Sequence, residues 1–167
     1  MFDRFGEFDS HTELNEAAAG QKEQGDHEAL FELAAENGID KEDAQDYIDG
    51  IAEELATPLM AAFGKLEVEA AELKPYEIME DWLSYIRIRC EEDKGMAAAV
   101  RKKGKSLKGC IGELLKWSFK NQHDVDKDIL KAAGVNAGRC TLGIPGMGRA
   151  KKIITEYYMG GQAHEKE

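Results

Sequence analysis

Between residues 107 and 120 the apolar side chains fall at Leu107, Cys110, Ile111, Leu114, Leu115 and Phe119, a one-sided set at spacings of three and four. That period belongs to an amphipathic helix and cannot serve a strand, whose faces alternate every second residue. The same spacing recurs at Met79, Trp82, Leu83, Ile86 and Cys90, where Trp82 reads as a core anchor. Proline is scarce, and alanine, leucine, glutamate and lysine recur, so the chain of 167 residues is expected to be all-α. Gly109 and Gly112 are poor helix formers inside the best-defined helix. Their retention implies a close neighbour there, a second helix or a ligand backbone, and the same face offers a surface for a second copy.

Smaller helices precede it. Residues 12–20 carry Leu14, Ala17 and Ala18 on one side, with Ser10 or Thr12 as cap and Gly20 and Gly25 as interruptions. Asp26 is placed to cap a helix bearing Leu30, Leu33 and Ala34, which Asn37-Gly38 should stop. Asp40 opens a third, with Tyr47, Ile48, Ile51 and Leu55 as its buried stripe, and Thr57-Pro58 restarts the chain with Leu59, Ala62, Phe63 and Leu66 facing inward. Leu73-Lys74-Pro75 then marks the expected boundary. The reading is a small acidic helical part over residues 1–74, packed on a helical bundle with basic loops over 75–160, and a flexible tail at 161–167.

Charge divides the same way. Residues 1–93 carry 26 Asp and Glu against 7 Lys and Arg, whereas residues 94–167 carry 7 against 15. Two readings follow: the halves attract each other or stay solvated, or one half addresses a basic partner and the other a polyanion. Asp40, Asp43, Asp46 and Asp49 climb one slowly rotating side of a helix, where they could imitate a run of phosphates or form a solvated face. Their spacing does not meet the ligand positions of an EF-hand calcium loop. Arg101, Lys102, Lys103, Lys105 and Lys108 gather at a helix start, suited to a phosphate backbone or an acidic protein surface. Gly104-Lys105-Ser106 is not a nucleotide-binding P-loop, because Ala99 stands where the first glycine is needed and no buried strand leads in.

Further on, Asp126 can cap a short helix ending at Gly134. Pro145-Gly146-Met147-Gly148 then leads into Arg149, Lys151 and Lys152. This is similar to the phosphate-gripping turn of helix-hairpin-helix motifs, although Ala150 stands closer to Gly148 than those motifs place it; a plain glycine turn between helices is the other reading. His11, His27, His123 and His164 are scattered, and no nucleophile and base recur at catalytic spacing, so no enzyme activity, cofactor or metal is expected. His123 with Asp124, Asp126 and Asp128 reads as a weak divalent-ion site or, more simply, a solvated cap. Cys90, Cys110 and Cys140 lack paired spacing and read as free thiols of a reducing cytoplasm. No basic, apolar leader is evident at residues 1–7, and no window approaches a membrane span.

Tyr85-Ile86 leading into Glu91-Glu92-Asp93, then Lys103-Gly104-Lys105-Ser106, Cys110 with its helix, and Glu156-Tyr157-Tyr158 together resemble the PcfK-like family of conjugative plasmids, phages and other mobile elements. The resemblance covers residues 82–158, about half the chain, and this chain inserts residues 135–147 before its last helix. It implies a helical, non-catalytic protein acting in the cytoplasm of a host bacterial cell. It further implies an anti-CRISPR role, in which the protein binds and inhibits a type II RNA-guided DNA nuclease by occupying nucleic-acid-binding surfaces. The alternative is a DNA- or RNA-binding accessory protein of a phage or conjugative element, working through the basic clusters.

Overall fold

A computed structural model describes residues 1–160, and the expected tail at 161–167 lies outside the described residues. The fold is all-α. The helices are α1 (His11–Glu23), α2 (His27–Glu36), α3 (Lys41–Ile48), α4 (Pro58–Leu73), α5 (Ile78–Glu92), α6 (Lys94–Arg101), α7 (Leu107–Lys120), α8 (Lys127–Ala132) and α9 (Met147–Met159). One two-residue ladder interrupts them, β1 (His123–Asp124) antiparallel to β2 (Thr141–Leu142).

Most helix starts follow from side-chain caps. Ser10, Asp26, Thr57, Ser106 and Asp126 each accept a hydrogen bond from a first-turn backbone N–H, and Pro58 occupies the first position of α4. Asp93 does the same for α6 by accepting from Gly95 N–H at 2.8 Å. The acid at the end of α5 therefore caps the next helix, and Arg89 one turn back lies 3.6 Å from its carboxylate. Gly20 does not end α1, which runs on to Glu23. Lys22 donates to the Tyr47 carbonyl at 2.6 Å, and the chain turns instead at Gly25, where φ is +68°.

Two hydrophobic cores result. Leu14 and Ala18 of α1, Leu30 and Leu33 of α2, and Ala44 and Tyr47 of α3 enclose the first, with Leu55 and Ala61. The second gathers Leu66, Trp82, Ile86, Met96, Val100, Leu107, Cys110, Leu114, Ile154 and Tyr158 from α4, α5, α6, α7 and α9. Helix α4 serves both, with Ala61 in one core and Ala62 in the other. A cut after Lys74 would separate α4 from the core it builds, so the expected division at 74 gives way to two cores sharing one helix.

Three expected core positions are exposed. Helix α3 stops at Ile48, and at Gly50 φ is +76°; Ile51 N–H then folds back onto the Asp46 carbonyl, leaving Ile51 73% exposed while Leu55 reaches the core from irregular chain. In α7 the stripe drifts. At 3.6 residues per turn Leu115 and Phe119 sit about 80° and 120° round from Leu107, off the face that packs, and they are 53% and 76% exposed. The segment 121–144, which includes most of the insertion, contributes no fully buried residue.

The two cores meet backbone to backbone where α2 ends against α4. Gly38 has φ +67°, and a Cβ placed on it would lie 2.7 Å from the Gly64 Cα; a Cβ on Gly64 would overlap the Asn37 carbonyl oxygen. Gly64→Ala is therefore expected to cost about 2 kcal/mol in urea unfolding, although alanine is the better helix former. Gly20→Ala, in a helix with open space around it, should gain up to about 1 kcal/mol. Equal effects at the two glycines would contradict this contact.

Candidate functional site: an acidic furrow and a cationic face

A buried polar cluster sets both charged surfaces in place. The Lys65 side chain is 1% exposed, and its ammonium donates to the carbonyls of Lys102 (2.9 Å) and Lys105 (2.6 Å) while lying 2.8 Å from Glu7 and 3.8 Å from Glu69. Glu69 in turn accepts Leu107 N–H at 2.6 Å, at the start of α7. Arg101 is 1% exposed and donates through Nη2 to Asn37 Oδ1 at 3.0 Å; Asn37 is itself held by donating to the Leu33 carbonyl. The Phe2 ring faces the Arg101 guanidinium.

This geometry corrects the reading of the 101–108 cluster as five phosphate ligands. Arg101 is a buried strut between α6 and the end of α2, out of reach of a ligand, and burial lowers its pKa against the opposing pull of Glu7 and Glu69. Lys105 donates to the Tyr157 carbonyl at 2.7 Å and lies over the Tyr157 ring, and Lys108 is paired with Glu72 at 3.2 Å. Lys102 and Lys103 remain exposed, on a loop held from beneath by Lys65 and from the side by Asp9, which accepts Lys103 N–H.

In α9 the three basic residues diverge. Arg149 and Lys152 line a groove against α7 with Lys120, Glu113, Trp117, Ile153, Glu156 and Tyr157, whereas Lys151 sits over the Tyr85 ring of α5. The helix-hairpin-helix comparison does not hold. Fourteen residues separate the end of α8 from the start of α9, Gly146 is the N-cap with φ −62°, and Gly148 is already in the first turn. Gly109 is close-packed as expected, but by the Tyr157 hydroxyl, which accepts Ser106 N–H; around Gly112 there is open space.

On the opposite charge, Asp40 is the N-cap residue of α3, Asp43 and Asp46 lie along it and Asp49 is its C-cap residue, with Ala44 and Tyr47 turned into the core. Asp43 borders two hollows along the α3–α4 seam. One, of about 590 Å³, is lined by Asp43, Asp46, Glu53 and Glu54; the other, of about 450 Å³, by Asp40, Asp43, Phe63 and Glu67. Among the described residues Asp40, Asp43, Asp46 and Glu53 have no ion-pair partner. Glu53 and Glu54 join the site because the chain bends at Gly50, which the periodicity of α3 did not signal.

The acids beside His123 are otherwise occupied: Asp124 is paired with Arg139 at 2.8 Å, Asp126 caps α8, and Asp128 lies 3.6 Å from Lys131. No group of three or more potential ligands has metal-binding geometry among the described residues. Burial pushes the Cys90 and Cys110 thiols up to about 12.

No family model, curated protein or solved structure matches this chain, so the PcfK-like resemblance rests on the residues quoted for it.

Two measurements test the buried cluster. Lys65→Met strands two carbonyls and two carboxylates, and is expected to cost about 3–5 kcal/mol in urea unfolding; a loss below about 1 kcal/mol would show that the cluster holds nothing. Burial raises the Glu69 pKa above 4.5 against the lowering by Leu107 N–H and Lys65. The folded chain therefore holds that proton more tightly than the unfolded one. The resulting stability is full below the ordinary value and is lost as pH rises through the raised one. Glu69→Gln, which keeps an oxygen for Leu107 N–H, should gain on the parent as pH climbs from 4.5 towards neutrality; a difference independent of pH would contradict this.

Proposed function

We propose that this protein is a non-catalytic inhibitor that seats its acidic α3–α4 furrow on a basic nucleic-acid-binding surface of a type II RNA-guided nuclease. One observation carries the reading: Asp40, Asp43, Asp46 and Glu53, without ion-pair partners among the described residues, lie at the edges of concave surface, on a framework with two cores. A solvated acidic face needs no hollows. Carboxylates grouped around hollows suit lysine and arginine side chains reaching in, as they would reach for phosphates in the guide and target channels of such a nuclease. Residues 1–57 carry 17 Asp and Glu against 3 Lys and Arg, so long-range attraction would also speed the encounter. The choice of nuclease comes from the PcfK-like resemblance; the furrow supplies the chemistry of contact.

A second reading is a DNA- or RNA-binding accessory protein of a mobile element. It is favoured by the exposure of Lys102, Lys103, Lys151 and Lys152.

Target-DNA cleavage by a guide-loaded nuclease, with the protein added at equimolar ratio before or after guide loading, tests the first reading. Inhibition is expected, and its dependence on order of addition reports whether the guide or the target channel is occupied. Reversing Asp40, Asp43, Asp46 and Asp49 to lysine should abolish inhibition, whereas Lys102→Glu with Lys103→Glu should leave it intact. The opposite pattern would move the contact to the cationic face, and undiminished cleavage across several such nucleases would sink the reading.

A further inference from the structure

We infer that the groove between α7 and α9 binds an unpaired nucleobase with its flanking phosphates, the ligand being single-stranded nucleic acid. The groove has a volume of about 640 Å³, and in its lining each helix supplies an aromatic ring and cationic side chains: Trp117 and Lys120 from α7, Tyr157, Arg149 and Lys152 from α9. Neither ring belongs to the core proper. Trp117 and Tyr157 are half-buried, whereas the other tryptophan, Trp82, is 5% exposed.

Lys120, Arg149 and Lys152 have no carboxylate partner among the described residues. Of the two acids in the lining, Glu113 is neutralised by Lys116 at 2.5 Å, and the Glu156 carboxylate lies towards Gly160 at the far end of α9. Arg149 sits 5.9 Å from the Trp117 ring centroid, at the outer limit of a cation–π contact, so the guanidinium can move to a phosphate while a base takes the ring. Tyr157 also links the groove to the cationic loop, because Lys105 lies over its ring at 4.8 Å and Ser106 donates to its hydroxyl.

Cations alone would serve any polyanion. Aromatic rings add binding only to a base whose face is open, which paired and stacked bases in a duplex do not offer. The combination selects single strands, and it is sequence-tolerant because every base has such a face. This site deepens the second reading above and rests on it; it uses none of the carboxylates of the acidic furrow.

Intrinsic fluorescence tests the site directly, since Trp117 lines the groove and buried Trp82 supplies an unquenched reference. Titrating the full chain with a twelve-residue oligothymidylate, or with oligouridylate as the ribose arm, should quench Trp117 emission saturably, and a twelve-base-pair duplex should bind more weakly. Trp117→Ala should weaken binding by fivefold or more, with Trp117→Phe intermediate, as anisotropy of a labelled oligonucleotide would report. Lys152→Glu should flatten the salt dependence. Lysine at Asp40, Asp43, Asp46 and Asp49 should not weaken oligonucleotide binding. Equal affinity for single strand and duplex, with no loss in Trp117→Ala, would overturn the groove assignment while leaving phosphate-backbone binding standing. Absence of binding to either would overturn both.

Discussion

An ammonium group taken out of water has to find charges and carbonyls at short range or the helix that carries it cannot pack. Lys65, in the middle of α4, meets that demand with Glu7, Glu69 and the carbonyls of Lys102 and Lys105, and so draws four separate stretches of chain onto one point. The N-terminal segment, the shared helix, the loop after α6 and the start of α7 are all positioned by it. Arg101 extends the same network to the end of α2 through Asn37. What reads in the sequence as a cationic loop feeding an amphipathic helix is thus organised from beneath by a lysine forty residues earlier.

That organisation explains why basic residues so close in sequence have different tasks. Arg101 points inward and supports the fold; Lys102 and Lys103 point outward because their backbone is engaged below; Lys105 and Lys108 are turned onto α9 and α4 respectively. The acidic side shows the reverse arrangement. Its carboxylates are little used within the fold, so their mutual repulsion is retained as surface potential instead of being relieved by ion pairs.

Much of the helical layout was legible from spacing and caps, because Ser10, Asp26, Thr57 and Asp126 do in the structure what their positions imply. Leu115 and Phe119 were legible too, since their rotation away from Leu107 follows from helix geometry; counting intervals of three and four without summing the angles conceals it. The exposure of Ile51 was harder, as it depends on a left-handed Gly50 that many glycines do not adopt. Helix α6 was obscured by its shortness and by the glycine at its start, although burial of Met96, Ala97, Ala99 and Val100 makes it central. The polar cluster was not legible at all: nothing local to Lys65, Asn37 or Arg101 separates them from solvated residues of the same type. Trp117 and Tyr157 share a groove through tertiary packing, which periodicity does not encode.

The contact between Gly38 and Gly64 has a further consequence. Side chains in a packed seam can exchange volume with their neighbours over evolutionary time and let the parts on either side rotate by degrees. Two peptide backbones in direct contact have nothing to exchange. The seam between the two cores therefore works as a mechanical stop, and the surfaces that flank it, one anionic and one cationic, keep their mutual bearing however freely the residues that decorate them are rewritten.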